Sequence, residues 1–131
     1  MKEVYEFLKE AGTYYLATID GGKPKVRPFG TIEMFEGKLY IQTSMKKDVF
    51  KQIEANNNVE VCAFLNGSWI RLEGKLVVDD RVEAKKHMLD SYPDLRSMYS
   101  ETDPLTKVLY FEDAKATIYS FTNDPKIIKI D

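Results

Sequence analysis

The chain holds one cysteine and one histidine in 131 residues, carries no excess of positive charge, and has no long apolar run. Each shortage excludes a class of function. A lone cysteine, Cys62, cannot close an internal disulfide, and a free thiol fits a reducing, cytoplasmic setting. Cys62 lies in the apolar run Val59-Glu60-Val61-Cys62-Ala63-Phe64-Leu65, where a small buried hydrophobe is the expected reading. One histidine and one cysteine supply too few nitrogen and sulfur ligands for a transition-metal cluster. The usual nucleophile–base–acid triad cannot be built without His87, which sits beside Lys85 and Lys86 and reads as a partly exposed surface residue. Nineteen basic against 21 acidic residues leave a net charge of −2, which argues against a nucleic-acid partner, because backbone phosphates require clustered positive charge. No segment approaches the roughly 20 apolar residues of a membrane helix. The N-terminus, Met1-Lys2-Glu3-Val4-Tyr5-Glu6-Phe7, is too charged for a secretory signal. A Gly-x-Gly-x-x-Gly turn and a Walker loop are both missing, so Rossmann and P-loop readings fail.

What is present describes one globular domain over residues 1–131, with 44% hydrophobic and 31% charged residues. Val4, Phe7, Leu8 and Ala11 share one helical face, and Gly12 stops that helix. Tyr14 to Ile19 is rich in aromatic and β-branched residues and runs into the turn signal Asp20-Gly21-Gly22. A second strand is expected over about 25–35 and a third over 38–43, parted by Glu36-Gly37, the three forming a meander. Val49, Phe50 and Ile53 are spaced for a short helix ending at Asn56-Asn57-Asn58, with Ser44 or Met45 near its start. Asn66-Gly67 joins two further strands, 59–65 and 69–78. Arg81 to Tyr92 reads as a helix ended by Pro93, 93–106 as a polar irregular stretch, and 107–121 as a long last strand. The expected architecture is α+β: about six antiparallel strands in a closed or partly closed barrel with short flanking helices, which removes exposed sheet edges.

Two segments carry chemistry. Val26-Arg27-Pro28-Phe29-Gly30 sets an arginine beside a proline where a strand begins. Alone this is a surface arginine before an edge proline; its fixed fork of donors equally suits a phosphate or a carbonyl-rich ring. Tyr40-Ile41-Gln42-Thr43-Ser44-Met45-Lys46-Lys47-Asp48 runs from a strand into a helix. It offers two hydroxyls, two lysines and free helix N-terminal amides, the groups that hold a phosphomonoester, though Thr43 or Ser44 also serves as a simple cap. Neighbouring strands of one meander would bring both segments together.

The order of these pieces resembles the pyridoxamine 5′-phosphate oxidase-like, FMN-binding split-barrel superfamily. The helix is followed by Tyr-Leu-Ala-Thr-Ile-Asp-Gly-Gly-Lys-Pro, Val-Arg-Pro-Phe, a Glu-Gly turn and Leu-Tyr-Ile-Gln-Thr-Ser. Within it the chain is similar to the nitroimidazole-reductase-like (Nim) branch, over nearly its whole length and most strongly from Tyr14 to Glu73. The resemblance implies a homodimer with FMN at the interface. Arg27, Pro28, Phe29 and Gly30 would run along the flavin; Gln42, Thr43 and Ser44 would meet ring and phosphate; Trp69 and Arg71 would belong to the partner-chain wall, with Tyr110 as a further candidate. Authentic oxidases resemble Thr-Asn-x-x-Ser-Arg-Lys where this chain has Thr43-Ser44-Met45-Lys46-Lys47-Asp48-Val49. Asp48 and Val49 thus stand in place of the phosphate-binding arginine and lysine, with Lys46 and Lys47 as their substitutes. The basic, histidine-bearing substrate motif of those oxidases is also missing, so pyridoxamine phosphate is not the expected substrate. The implied activity is two-electron reduction of a small acceptor, nitroreductase-like, with a reduced nicotinamide as donor. The alternative is a flavin-binding or flavin-sensing protein without turnover. No residue is singled out as catalytic acid or base.

Overall fold

Three two-residue turns fix the register of the sheet. Glu36-Gly37 and Asn66-Gly67 both adopt positive φ at their two central positions (49° and 75°, 50° and 80°), the type I′ geometry whose twist matches that of the flanking strands. The third turn, at Gly21-Gly22, has φ +64° at Gly21. The computed structural model describes all residues, 1–131. In chain order they form α1 (Lys2–Ala11), β1 (Tyr14–Asp20), β2 (Lys23–Phe29), β3 (Glu33–Phe35), β4 (Lys38–Ser44), α2 (Asp48–Ala55), β5 (Asn58–Leu65), β6 (Ser68–Asp79), α3 (Val82–Ser91), a 3₁₀ turn (Pro93–Ser97), β7 (Thr106–Ser120) and β8 (Lys126–Ile130). The strands make one antiparallel sheet in the order β2-β1-β5-β6-β7-β4-β3, with β8 added to β7. It curls around a core that includes Leu16, Ile41, Val61, Ile70, Leu72 and Phe111.

This is the expected α+β split barrel, with eight strands where six were counted from the sequence. One of the additional strands comes from the stretch expected as a single strand over 25–35. It breaks at Gly30-Thr31-Ile32, because β2 pairs with β1 while β3 pairs with β4. The first strands are therefore two hairpins at opposite ends of the sheet order, not a meander, and residues 30–32 carry the chain across the split. Two tyrosine hydroxyls serve the backbone there in place of a ladder. Tyr14 donates to the Thr31 carbonyl, and Tyr92 both accepts from the Ile32 amide (3.0 Å) and donates to the Ile32 carbonyl (2.9 Å).

Cys62 is exposed, not buried. Its run alternates: Val59, Val61 and Ala63 enter the core, while Cys62 and Phe64 face outward, as the two-residue period of a strand requires. The second helix starts later than expected, at Asp48 after Lys47. His87 is partly exposed, as expected, and its ring lies 4.7 Å from that of Phe35.

At the start of α3, Asp79 accepts from the Tyr40 hydroxyl (2.7 Å) and from Arg81, whose guanidinium also meets Glu36. Burial pushes the Asp79 carboxyl up, but the bonds from Arg81 and Tyr40 outweigh it and hold the group below its usual value. A depressed carboxyl stabilises the fold above its unfolded pKa of about 4 and loses that contribution as pH falls through the folded value. Asp79→Asn is therefore expected to lower Tm at neutral pH and to flatten the decline of Tm below about pH 4. Thermal melts across an acid pH series check this; an unchanged acid limb would contradict the linkage.

Candidate functional site

The crossing at residues 30–32 brings the two chemistry-bearing segments together. Thr31 Oγ1 accepts from the Gln42 backbone amide at 3.0 Å, which seats the end of β2 against β4. Between them lies a cavity of about 200 Å³ lined by Pro28, Phe29, Gly30, Thr31, Gln42, Thr43, Lys47, Leu95, Met98 and Tyr99. Six of the residues named from the sequence meet here: Pro28, Phe29, Gly30, Gln42, Thr43 and Lys47. The side-chain oxygen and nitrogen of Gln42 and the Thr43 hydroxyl are buried without any hydrogen-bond partner in the chain. Buried polar atoms are nearly always paired, since each unpaired group costs about 1–3 kcal/mol. Gln42 and Thr43 are neighbours on β4, so their side chains leave the strand on opposite faces, and the unpaired Gln42 carboxamide lies behind the cavity wall as a group with free donors and acceptors.

Lys47 also lines a second, more open concavity of about 440 Å³ with Asp20, Lys25, Val26, Arg27, Asp48, Val49 and Gln52. Arg27 turns inward, in register with the buried Leu16. Its Nη1 donates to Thr18 Oγ1 (2.7 Å) and the Leu16 carbonyl (3.2 Å), and Nη2 to Gln52 Oε1 (2.8 Å). Of five guanidinium N–H groups, two remain free. Burial lowers the Arg27 pKa, partly countered by the neighbouring Asp48 carboxylate, which marks a cation stripped of some of its water. Lys46 and Lys47 make no ion pair with any carboxylate, so their charge is uncommitted. Only Lys47 lines the two concavities; Lys46 is exposed in the turn before it. Ser44 is buried at the end of β4, and its hydroxyl accepts from the Lys46 amide at 3.3 Å.

Trp69 and Arg71 lie elsewhere in the chain. Arg71 is in register with Cys62, Tyr15 and Pro28 on β5, β1 and β2, three strand spacings or about 14 Å from Pro28. It pairs with Glu60 at 2.7 Å, and Trp69 stacks on Tyr119 at 5.4 Å. Both belong to the outer face of the sheet. Tyr110 packs on Tyr40 (5.5 Å) under α3, outside the cavity lining. A larger concavity of about 550 Å³ around Ala17, Glu60, Gly74 and Lys115 contains none of the residues named from the sequence.

Sequence reasoning missed Thr31, Leu95, Met98 and Tyr99 on the cavity wall, and Thr18 and Gln52 around Arg27. The last wall comes from the stretch 93–106 read as irregular. Its length was the available signal, since long connections in compact domains are commonly functional. Nothing in their spacing pointed to Thr18 or Gln52.

The family described as pyridoxamine 5′-phosphate oxidase matches residues 1–119. A NimC/NimA family protein from Clostridium acetobutylicum has 44% identity and a TM-score of 0.95, with 99% of this chain and 92% of that one covered. General stress protein 26 from Bacillus anthracis has 22% identity and a TM-score of 0.75, covering 98% of both chains. A pyridoxamine 5′-phosphate oxidase-related, FMN-binding protein from Nostoc punctiforme has 13% identity and a TM-score of 0.63, covering 98% of this chain and 92% of that one. No curated protein matches the sequence. A match over residues 1–119, with 44% identity to a NimC/NimA relative along nearly the whole chain, shows that this protein belongs to the pyridoxamine 5′-phosphate oxidase family of split barrels, in its NimC/NimA branch.

Proposed function

We propose that this chain binds FMN between two copies of itself and reduces a small acceptor, in the manner of a nitroreductase. The observation that carries the reading is the convergence of Pro28, Phe29, Gly30, Gln42, Thr43 and Lys47 on one cavity, with the unpartnered Gln42 carboxamide at its wall. A carboxamide offers both a donor and an acceptor, which suits the alternating N–H and C=O edge of a flavin ring. Arg27 and Lys47 are the groups to hold its phosphate: they flank one concavity, and Lys47 joins it to the other. When bound, the flavin supplies two-electron transfer between a reduced nicotinamide and the acceptor. The chain's own part is to orient it and exclude water, since no carboxylate, histidine or cysteine lines the cavity.

A cavity of about 200 Å³ is smaller than the roughly 300–1,000 Å³ of a complete small-molecule site, which supports a second wall from a partner. The outer sheet face suits that role. Tyr15, Phe64 and Phe121 are 51%, 64% and 83% exposed beside the Trp69–Tyr119 stack, and large exposed apolar patches mark interfaces. Across a two-fold axis each copy would give its Trp69 and Arg71 to the other's site.

The test is the visible spectrum after incubation with FMN and desalting. A retained flavin band is expected, with Lys47→Ala weakening binding and Lys46→Ala leaving it nearly unchanged, as only Lys47 lines the site. A Lys46→Ala, Lys47→Ala double variant that binds as tightly as the parent would remove the lysines from the proposal. Reduction by NADH or NADPH and reoxidation by a nitroaromatic compound would separate the enzyme from a flavin carrier that turns nothing over. Colourless protein that leaves FMN fluorescence unquenched would overturn the flavin reading.

A further inference from the structure

We infer that Tyr92 is a positioning residue for the candidate site: its hydroxyl ties together the two cavity walls that lack ladder partners, the crossing at residues 30–32 and the segment that begins at Pro93. This rests on the flavin reading only for what the cavity holds, not for the geometry.

The crossing has no ladder partners because β2 leaves β1 at Phe29 and β3 joins β4 at Glu33. Its unpaired backbone must be satisfied otherwise. The Tyr92 hydroxyl binds both polar groups of Ile32, at 3.0 and 2.9 Å, and accepts a third bond from Lys9 Nζ at 3.0 Å. Lys9 in turn pairs with Glu33 at 2.8 Å, just past the crossing. The residue before Ile32 is Thr31, whose hydroxyl takes the Gln42 backbone amide. The position of Ile32 therefore bears on that of Thr31, and Thr31 holds the Gln42 amide on the edge of β4 opposite its ladder with β7.

Tyr92 also opens the second wall. It follows the end of α3, and its carbonyl accepts from the Leu95 amide at 3.0 Å, the first bond of the 3₁₀ turn. Leu95, Met98 and Tyr99 of that segment face the cavity. The far end is held separately: Asp103 accepts from the Ser100, Leu105 and Thr106 amides, and Met45 donates to the Leu105 carbonyl. One hydroxyl thus fixes the spacing between two walls that share no ladder.

Tyr92→Phe keeps the ring and removes the three bonds. A merely structural role would lower Tm without changing ligand affinity measured well below the melt. A positioning role predicts FMN affinity reduced on the order of tenfold, a shifted absorption band of the bound flavin, and hydrogen exchange at the Gln42 amide of the flavin-free protein that rises more than at other core amides. Gly74→Ala is the control: it strains the β6–β7 pair away from the cavity lining and should lower Tm while leaving affinity, and Gln42 exchange relative to that of other core amides, at parent values. Exchange that rises at Ile32 alone, with parent affinity, would overturn the inference, as would an equal loss of affinity in the control. If the parent itself fails to bind FMN, the flavin reading falls, and Gln42 exchange relative to that of other core amides decides the role of Tyr92: selectively faster supports it, a uniform rise or no change overturns it.

Discussion

Arg27→Ala is expected to lower FMN affinity about ten- to hundredfold, the effect of losing one charge-assisted hydrogen bond of about 1.5–3 kcal/mol. The guanidinium is held in place before any ligand arrives, by Thr18, Gln52 and the Leu16 carbonyl. Little side-chain entropy remains to be lost on binding, and two N–H groups stay free for phosphate oxygens. Its partial burial, which lowers its pKa, means a phosphate would meet a cation only partly screened by water. Arg27→Lys should fall between parent and alanine, keeping the charge but not the fork that holds Thr18 and Gln52. Fluorescence-quenching titration of FMN measures this. Affinity within twofold of the parent in Arg27→Ala would show that the phosphate lies elsewhere, with Lys47 as the remaining cation on the lining of both concavities.

Gly74→Ala is expected to cost about 2–3 kcal/mol and to lower Tm by roughly 10 °C. A Cβ at Gly74 would sit 2.6 Å from the Ala114 Cβ and 2.8 Å from its Cα, closer than real side chains pack. Part of the obstacle is backbone, so no rotamer change relieves the clash; β7 itself must move. Gly74 lies at the break in register between Glu73 and Lys75, opposite Asp113 in the left-handed region at φ +50°. Ala114 also pairs with Ile130 of β8, so a displaced β7 disturbs two strand pairs. Ala114→Gly in the same chain should restore only part of the loss, because the β7 main chain still stands in the way of the new methyl group. Differential scanning calorimetry of the single and double variants checks both statements; a parent-like Tm for Gly74→Ala would mean that the bulge is plastic.

How much of the molecule is legible in its sequence differs between local and distant features. Gly12, the three hairpin turns, Asn56-Asn57-Asn58 and Pro93 are local stops whose φ preferences act wherever they occur, so the elements they bound fall close to where the residues place them. The motif order from Tyr14 to Glu73 carried the family likewise. The partners of each strand are another matter. Residues 25–35 are continuously extended in character, and nothing in them reports that Phe29 pairs with Tyr14 while Glu33 pairs with Tyr40 at the opposite end of the sheet order. That choice is made in the assembled sheet, where β1 is also paired with β5 and β4 with β7. Cys62, expected in the core, faces outward for a related reason: an apolar run shows composition, but which alternate residues face the core depends on the register with β1 and β6.

The candidate site divides along the same line. The sequence by itself determined which groups are chemically able to meet a phosphorylated, carbonyl-rich ligand: Arg27, Gln42, Thr43 and the lysine pair, residue types whose donors and charges belong to them in any fold. The tertiary structure alone decided that Gln42 and Thr43 are left unpartnered at a cavity, that Lys47 lines it while Lys46 does not, and that Leu95, Met98 and Tyr99 close one side. Burial and pairing are properties of neighbours far off in the chain, as Tyr92 is 60 residues from Ile32 and 83 from Lys9, and a chain read one residue at a time does not contain them.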